Sequence, residues 1–377
     1  MALLVVDAAP RGGVCVTPTP LAPLLAKRID KEGPLSVGAY MAEALGHPEF
    51  GYYMTRDPLG AEGDFTTAPE ISQLFGEMIG GFLLASWAAM AAPRPVTLAE
   101  FGPGRGTLMA DMLRVAKLRP DFLEAAEAVL LETSPVLRSR QRETLSSPPL
   151  PLRWIEDAAA LPSGPLLLIA NEFFDCLPIR QFVRAGTGPL FRERLVTTGE
   201  MPGQLAYCLS EETYSPPPGA AAHGPPEEIV ETCAPAHALI EVLIPRLTAA
   251  PGLVLIIDYG AGRRGSGDTF QAVKNHQFHH PLALPGEADL TAHVNFAALA
   301  DTARRGGLGV YGPISQSRFL TALGLPARAD QLAGANPAAK AAIAQQVERL
   351  VGQDQMGTLF QVLCLTSPGS PVPPGMA

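Results

Sequence analysis

Val96-Thr97-Leu98-Ala99-Glu100-Phe101-Gly102-Pro103-Gly104-Arg105-Gly106-Thr107 decides the fold class of this chain. It begins as an apolar run with strand character and ends in glycines at alternate positions. Behind it, Leu108, Met109, Met112, Leu113 and Ala116 recur at helical spacing. Strand, glycine turn and helix form the opening unit of a nucleotide-binding α/β sheet. One glycine lets the chain reverse, and another lets backbone approach a ligand with no Cβ in the way.

The spacing also bears on the ligand. A dinucleotide fingerprint reads G-x-G-x-x-G, whereas here the third glycine comes one residue early. Glu100 stands two residues before the first glycine, where its carboxylate would repel a pyrophosphate but suit an ammonium group. S-adenosylmethionine (SAM) carries that ammonium, a sulfonium and an adenosine, and no phosphate. The residues favour SAM over NAD; a tight turn that binds nothing is the bland alternative.

Working outward, the upstream loop Leu59-Gly60-Ala61-Glu62-Gly63-Asp64-Phe65-Thr66-Thr67-Ala68-Pro69-Glu70 is glycine-rich with a polar centre. Pro69 suits a first helical position and Glu70 complements the positive helix end. The helix that follows is patterned by Ile71, Leu74, Phe75, Met78, Ile79 and Phe82. A loop of this kind holds a polar or anionic ligand on free amides, or is a plain surface connection. An earlier amphipathic helix is marked by Val37, Tyr40, Met41, Ala44 and Leu45 and stopped by Gly46-His47-Pro48. Prolines 10, 18, 20 and 23 suggest a loose N-terminal arm, and Met1 to Val6 lacks the basic flank of a signal peptide.

Downstream, Ala128-Val129-Leu130-Leu131-Glu132 reads as a second strand ending in an acid, and such an acid grips ribose hydroxyls. A helix-like segment at 121–127 explains its distance from Gly102. A third strand candidate ends at Trp154-Ile155-Glu156-Asp157, where an adenine contact is weakly indicated. Leu166-Leu167-Leu168-Ile169-Ala170 is a buried strand running into Asn171-Glu172-Phe173-Phe174-Asp175-Cys176-Leu177-Pro178. Polar groups at the carboxyl end of a central strand face the ligand crevice. Glu172 and Asp175 form a carboxylate pair there, able to take protons or hold a cation. Residues 200–226 read as a flexible excursion, 227–247 as helix, and 253–260 as another buried strand. Residues 262–294 read as a long irregular segment, 315–350 as helical, and 358–364 as a last strand. His276, His279 and His280 suggest a metal, but no acid or cysteine completes a ligand set.

Composition sets the outer bounds. With 377 residues, 47% hydrophobic and 17% charged, a large core is available. A net charge of −9 argues against a generic nucleic-acid binder and suits a basic protein or peptide. The five cysteines are scattered without C-x-x-C, which excludes a readable zinc or disulfide framework. The longest apolar runs fall short of a bilayer span.

Together these stretches, with Gly33-Pro34 through Gly51-Tyr52-Tyr53, Asp258-Tyr259-Gly260 and Asp289-Leu290-Thr291-Ala292-His293-Val294, resemble the MidA-type methyltransferases over residues 33–365. These are bacterial relatives of the mitochondrial complex I assembly-factor arginine methyltransferase. Thr67-Ala68 and Cys176 depart from the family's usual residues, and neither removes a polar group the chemistry needs. The resemblance implies a Rossmann-like class I SAM-dependent methyltransferase, an α/β fold with a seven-stranded, mostly parallel sheet and an antiparallel last strand. It places an N-terminal helical region at 1–95, the SAM-binding core at 96–261, an inserted substrate-side segment at 262–350 and the last strand with a Pro-rich tail at 351–377. Gly102, Pro103, Gly104 and Gly106 would make the cofactor turn with Glu100 near the amino group, and Glu132, Asp157 and Asn171 would add contacts. Asp64, Phe65 and Thr67 would close over the cofactor. Glu172 and Asp175 would face the substrate, with Asp289 and His293 walling the site and His293 counted with the catalytic group.

The implied reaction is methylation of a protein arginine, with a respiratory-complex subunit as the partner class, no nucleic acid, no membrane insertion and no metal. The implied compartment is cytoplasmic, or the mitochondrial matrix for a eukaryotic source; a dimer is compatible. Two other readings stand beside it: a methyltransferase of a small molecule or another side chain, and a non-catalytic assembly factor that keeps a SAM pocket.

Overall fold

A computed structural model describes residues 14–15, 19–60, 63–200, 204–261 and 267–377. The readings of Met1 to Val6 and of the prolines at 10 and 18 lie outside the described residues. The chain forms two compact units. One comprises Met1–Phe65, Cys176–Ala236 and Arg264–His293; the other comprises Thr66–Asp175, His237–Arg263 and Val294–Ala377. Chain order therefore does not translate into units. The 96–261 segment contributes Cys176–Ala236 to the unit that also holds Met1–Phe65.

The second unit is built on a sheet of seven strands in chain order. They are β1 (Val96–Phe101), β2 (Ala126–Leu131), β3 (Leu152–Ile155), β4 (Leu166–Asn171), β5 (Gly252–Ala261), β6 (Gly309–Ser315) and β7 (Phe360–Thr366). Across the sheet they run β6-β7-β5-β4-β1-β2-β3, with the two-residue strand Val294–Asn295 alongside the end of β5. β1 to β5 are parallel, and β7 is antiparallel to both β5 and β6. The order reverses at β1 and β4, so the carboxyl ends of those strands open the crevice where such sheets bind ligands.

The strands are where they are because both sheet faces are covered. Every residue of β1 and β4 is buried, which requires runs such as Leu166-Leu167-Leu168-Ile169 in place of alternation. The helix Thr107–Ala116 presents Leu108, Met109, Met112, Leu113 and Ala116 to the core. The helix Gln73–Ala89 packs Leu74, Phe75, Ile79 and Phe82 into the same cluster. The single helix expected from Pro69 onward is broken at Ser72, whose extended backbone ends Ala68–Ile71 and whose hydroxyl accepts from Leu74 N. β6 carries no clear strand signal because Gly312-Pro313 interrupts it, and the ladder shifts between Tyr311 and Ile314. An edge strand tolerates that break.

The first unit corrects three readings. Residues 204–209, expected in a flexible excursion, form a strand, and Ile229–Thr232, expected as helix, form another. With Val14–Cys15, Leu35–Ser36, Arg180–Arg184 and Phe191–Thr198 they make an antiparallel sheet. Arg184 holds the Pro-rich excursion in place. It is buried, stacks over Phe191 at 4.4 Å, and donates to the carbonyls of Gly188 and Ala221 and to Glu228. The segment expected as irregular at 262–294 contains a three-stranded sheet of Gln271–Lys274, Gln277–His279 and Asp289–Thr291. Its hairpin turns at Asn275 and His276, both with positive φ, as a two-residue turn of this hand requires. Among the described residues, no helix is long and apolar enough to cross a membrane.

Candidate active site

The glycine turn joins β1 to the helix Thr107–Ala116. Gly102, Gly104 and Gly106 have φ of 63°, 54° and 83°, values that side chains resist. At Gly102 a second reason applies: a Cβ would come within 2.7 Å of the Phe173 ring. The turn is braced from outside. Glu70 accepts from Thr107 Oγ1 at 2.5 Å and faces Arg105 at 3.7 Å, which ties the helix start at residues 68–70 to the turn. Thr67 caps that helix start through its backbone, with Glu70 N and Ile71 N on its carbonyl.

Glu132 follows β2 and is buried. Its Oε1 accepts from Ser134 N at 2.8 Å and its Oε2 from Gln141 Nε2 at 3.0 Å. Burial raises its pKa, against the pull of those donors. Gln141 is fully buried on the otherwise polar helix Pro135–Thr144. It also donates to the Gly104 carbonyl at 2.8 Å and accepts from the Trp154 indole at 2.8 Å. One amide thus joins the glycine turn, the β2 acid and the end of β3. Asp157 is exposed after β3 and accepts from Ala159 N at 2.9 Å.

The end of β4 is strained. Glu172 has φ of 52°, uncommon for a residue with a side chain and a frequent mark of functional sites. Its Oε1 accepts from Ala68 N at 2.8 Å and Asn171 Nδ2 at 3.0 Å. The next amides turn inward together. Phe173 N, Phe174 N and Asp175 N converge on Oδ2 of Asp258 at 3.1, 2.9 and 3.2 Å, and Tyr259 N takes Oδ1 at 2.8 Å. This is a backbone nest filled by the protein's own carboxylate. Burial, and then the Glu172 charge, push Asp258 up to about 8. Asp175 is buried beside them. In the sequence Asp258 stood in a stretch of the family resemblance, Asp258-Tyr259-Gly260, with no role of its own, and Gln141 carried no signal.

The first unit holds Asp64, Phe65, Asp289 and His293. Asp64 accepts from Tyr52 Oη and from Asn275 N, both at 2.7 Å, and its carbonyl accepts from His276 N at 3.1 Å. Asp289 accepts from Tyr53 Oη at 2.7 Å, and burial pushes it up to about 7. Phe65 packs against the apolar core of that unit, and His293 N donates to Thr269 Oγ1 at 2.9 Å. Burial lowers the His293 pKa.

Back in the second unit, two buried acceptors at the switch point have no donor: Glu100 Oε2 at the end of β1 and Asn171 Oδ1 at the end of β4. Unsatisfied buried acceptors are costly and call for a partner. An ammonium group offers three donors. With the glycine turn and Glu132, these residues fit a ligand bearing an amino-acid end and a ribose, as SAM does.

Known proteins agree. The family model described as "Putative S-adenosyl-L-methionine-dependent methyltransferase" matches residues 78–314. Protein arginine methyltransferase NDUFAF7, mitochondrial, of Danio rerio is 38% identical over 301 residues, 74% of this chain and 71% of that protein. The protein of that name from Homo sapiens is 35% identical over 309 residues, 76% of this chain and 69% of its own length. A crystal structure from Burkholderia thailandensis bound to S-adenosyl-homocysteine superposes with a TM-score of 0.81 at 26% identity, covering 96% of this chain and 97% of that one. The chain belongs to this family of class I SAM-dependent methyltransferases, with SAM as its cofactor.

Proposed function

We propose that the chain methylates an arginine side chain of a partner protein. The observation that carries this reading is Glu172, held with φ of 52° at the end of β4, in a turn whose next three amides are fixed by the buried Asp258 carboxylate at the end of β5. The arginine methyltransferase names of the relatives support it.

Bound SAM supplies an electrophilic methyl group on its sulfonium. Gly102, Gly104 and Gly106 would leave backbone room for the amino-acid arm, Glu100 and Asn171 would accept from the ammonium, and Glu132 would accept from ribose hydroxyls. Asp157 would stand on the adenine side. Guanidinium remains protonated above pH 12 and is a poor nucleophile until its charge is localised. Glu172 does this by drawing the positive charge to the nitrogens it faces, and Asp258 fixes the turn that aims it. Positioning supplies most of the rate in an in-line displacement. A respiratory-complex subunit is the partner class the family resemblance implies, and the compartment would follow that partner.

The test is transfer of labelled methyl from SAM to whole lysate, followed by amino-acid analysis of any labelled protein. Methylarginine is expected. Label confined to a small molecule or another side chain would overturn the arginine reading in favour of that alternative.

A further inference from the structure

The helix Ala68–Ile71 is a single turn. One turn fixes several dihedrals for few backbone bonds, so its place depends on what it meets outside itself. Polar contacts at Ala68, Glu70 and Ser72 hold it, all within the sheet unit. Ala68 is fully buried and donates its N–H to Glu172 Oε1 at 2.8 Å. Glu70 Oε1 accepts from Thr107 Oγ1 at 2.5 Å, and Thr107 is where the glycine turn becomes helix. Ser72 Oγ donates at 2.9 Å to Gln346 Oε1 on the helix Lys340–Val351. Pro69, between Ala68 and Glu70, fixes its own φ and stiffens the link. The Ala68 amide and the Glu70 carboxylate therefore move as one piece.

This piece joins the two halves of the site. Thr107 and Arg105 belong to the turn that would take the cofactor arm, and Glu172 is the acid read as facing the acceptor. Of Glu70's contacts with the turn, the Thr107 hydrogen bond is the stronger. Arg105 stands 3.7 Å away with 32% of its side chain exposed, and such ion pairs contribute little. Glu172 depends on outside support, because at φ of 52° its backbone is strained and its Oε1 is aimed by Ala68 N and Asn171 Nδ2. We propose that Glu70 is a positioning residue that couples the cofactor turn to Glu172. A cofactor seated on the turn would steady Thr107, Thr107 holds Glu70, and the one-turn helix then keeps Ala68 N on Glu172. This coupling deepens the proposed function and rests on its reading of Glu172. It adds an order to the reaction: the acid that faces the acceptor is set once the methyl donor is in place.

Cutting the link should separate turnover from binding. Glu70→Ala should lower single-turnover methyl transfer at saturating SAM about tenfold, because a displaced Glu172 costs rate. Coupling between sites is reciprocal, so S-adenosyl-homocysteine should still bind, about fivefold more weakly. Glu70→Gln keeps an oxygen for Thr107 Oγ1 and should retain most of both. Thr107→Val breaks the same bond from the other side with nearly the same shape, and should reproduce Glu70→Ala. On a Glu172→Gln background, Glu70→Ala should cost little more, since a residue that acts through Glu172 loses its effect once that charge is gone.

The experiment pairs hydrogen exchange with this cycle, on the full chain and with a melting curve for each variant. At saturating S-adenosyl-homocysteine, the peptide spanning 66–72 should gain protection in the parent and in Glu70→Gln, and not in Glu70→Ala or Thr107→Val. Transfer is read as label passed from SAM to whole lysate. No added protection over 66–72 in the unsubstituted chain would overturn the proposal, and that arm needs no variant to fold. Protection that persists in Glu70→Ala would overturn it too, since the ligand would then be touching the segment directly. So would additive losses in the Glu70→Ala, Glu172→Gln double variant. Exchange needs no acceptor, so the coupling can fail while the arginine reading holds, and label on a residue other than arginine would overturn the arginine reading alone.

Discussion

The two units differ in whether any buried polar group is left without a donor or acceptor. In the unit that holds Asp64 and Asp289, acids meet the chain's own donors: Tyr52 and Asn275 for Asp64, Tyr53 for Asp289, Arg184 for Glu228 and Arg180 for Glu193. In the sheet unit, Glu100 and Asp111 keep oxygens with no donor, as does the Asn171 amide. Among the described residues, every buried side-chain polar atom without a partner lies in the sheet unit. A satisfied buried polar group rigidifies a fold, whereas an unsatisfied one is a cost that a ligand can remove. Among the unsatisfied atoms, Glu100 Oε2 and Asn171 Oδ1 stand at the strand ends where the cofactor site is read.

The strongest way to break this contrast is at Gly104. With φ of 54°, Gly104→Val would be strained and would place a branched side chain against the cofactor arm. Loss of measurable SAM binding is expected by calorimetry, with a melting curve run beside it to show that the chain still folds. Wild-type affinity in this variant would mean the turn is structural only.

Glu172→Gln sharpens the contrast, because the amide keeps an oxygen for Ala68 N and loses only the charge. Single-turnover methyl transfer should fall about ten- to a hundredfold, the equivalent of a charged hydrogen bond worth about 1.5–3 kcal/mol. SAM affinity should stay near that of the parent. Unchanged turnover would move the chemistry away from a cationic acceptor.

Gln141→Ala should weaken SAM binding by roughly tenfold and lower stability by about 1–3 kcal/mol, since it leaves the Gly104 carbonyl, Glu132 and the Trp154 indole each one partner short. Parent-like values in both titration calorimetry and denaturant unfolding would remove Gln141 from the site.

The smallest effect belongs to the other unit. Tyr53→Phe should cost about 1 kcal/mol of stability and leave SAM affinity unchanged. Its pH profile is informative. Asp289 is raised to about 7, so unfolding ionises it first. Its contribution to stability is therefore lost as pH rises from about 4 to about 7, and is level above that. Removing the Tyr53 donor, which lowers this pKa, should extend the loss to higher pH in thermal melts. A profile that superposes on the parent's would contradict the assignment.

What the sequence disclosed follows from how local each feature is. The β1 strand and its glycine turn are written in adjacent residues, and so are the buried runs of β4 and β5. The role of Asp258, quoted only within a family stretch, and the whole of Gln141 were hidden because their contacts lie across the sheet. Asp258 meets amides more than eighty residues earlier in the chain, and Gln141 sits on a helix, PVLRSRQRET, that reads as a solvated surface. The antiparallel strands at 180–232 were missed for another reason. Prolines 216–218 and 225–226 interrupt the chain there, and the segment's order depends on the distant donors of Arg184.

The most direct test of the account is a crystal structure of the chain with S-adenosyl-homocysteine. The ammonium group should lie within hydrogen-bond distance of Glu100 Oε2, with Asn171 Oδ1 also given a donor and the ribose hydroxyls on Glu132. A bound ligand that leaves Glu100 Oε2 and Asn171 Oδ1 still without donors would contradict the claim that these atoms mark the cofactor site.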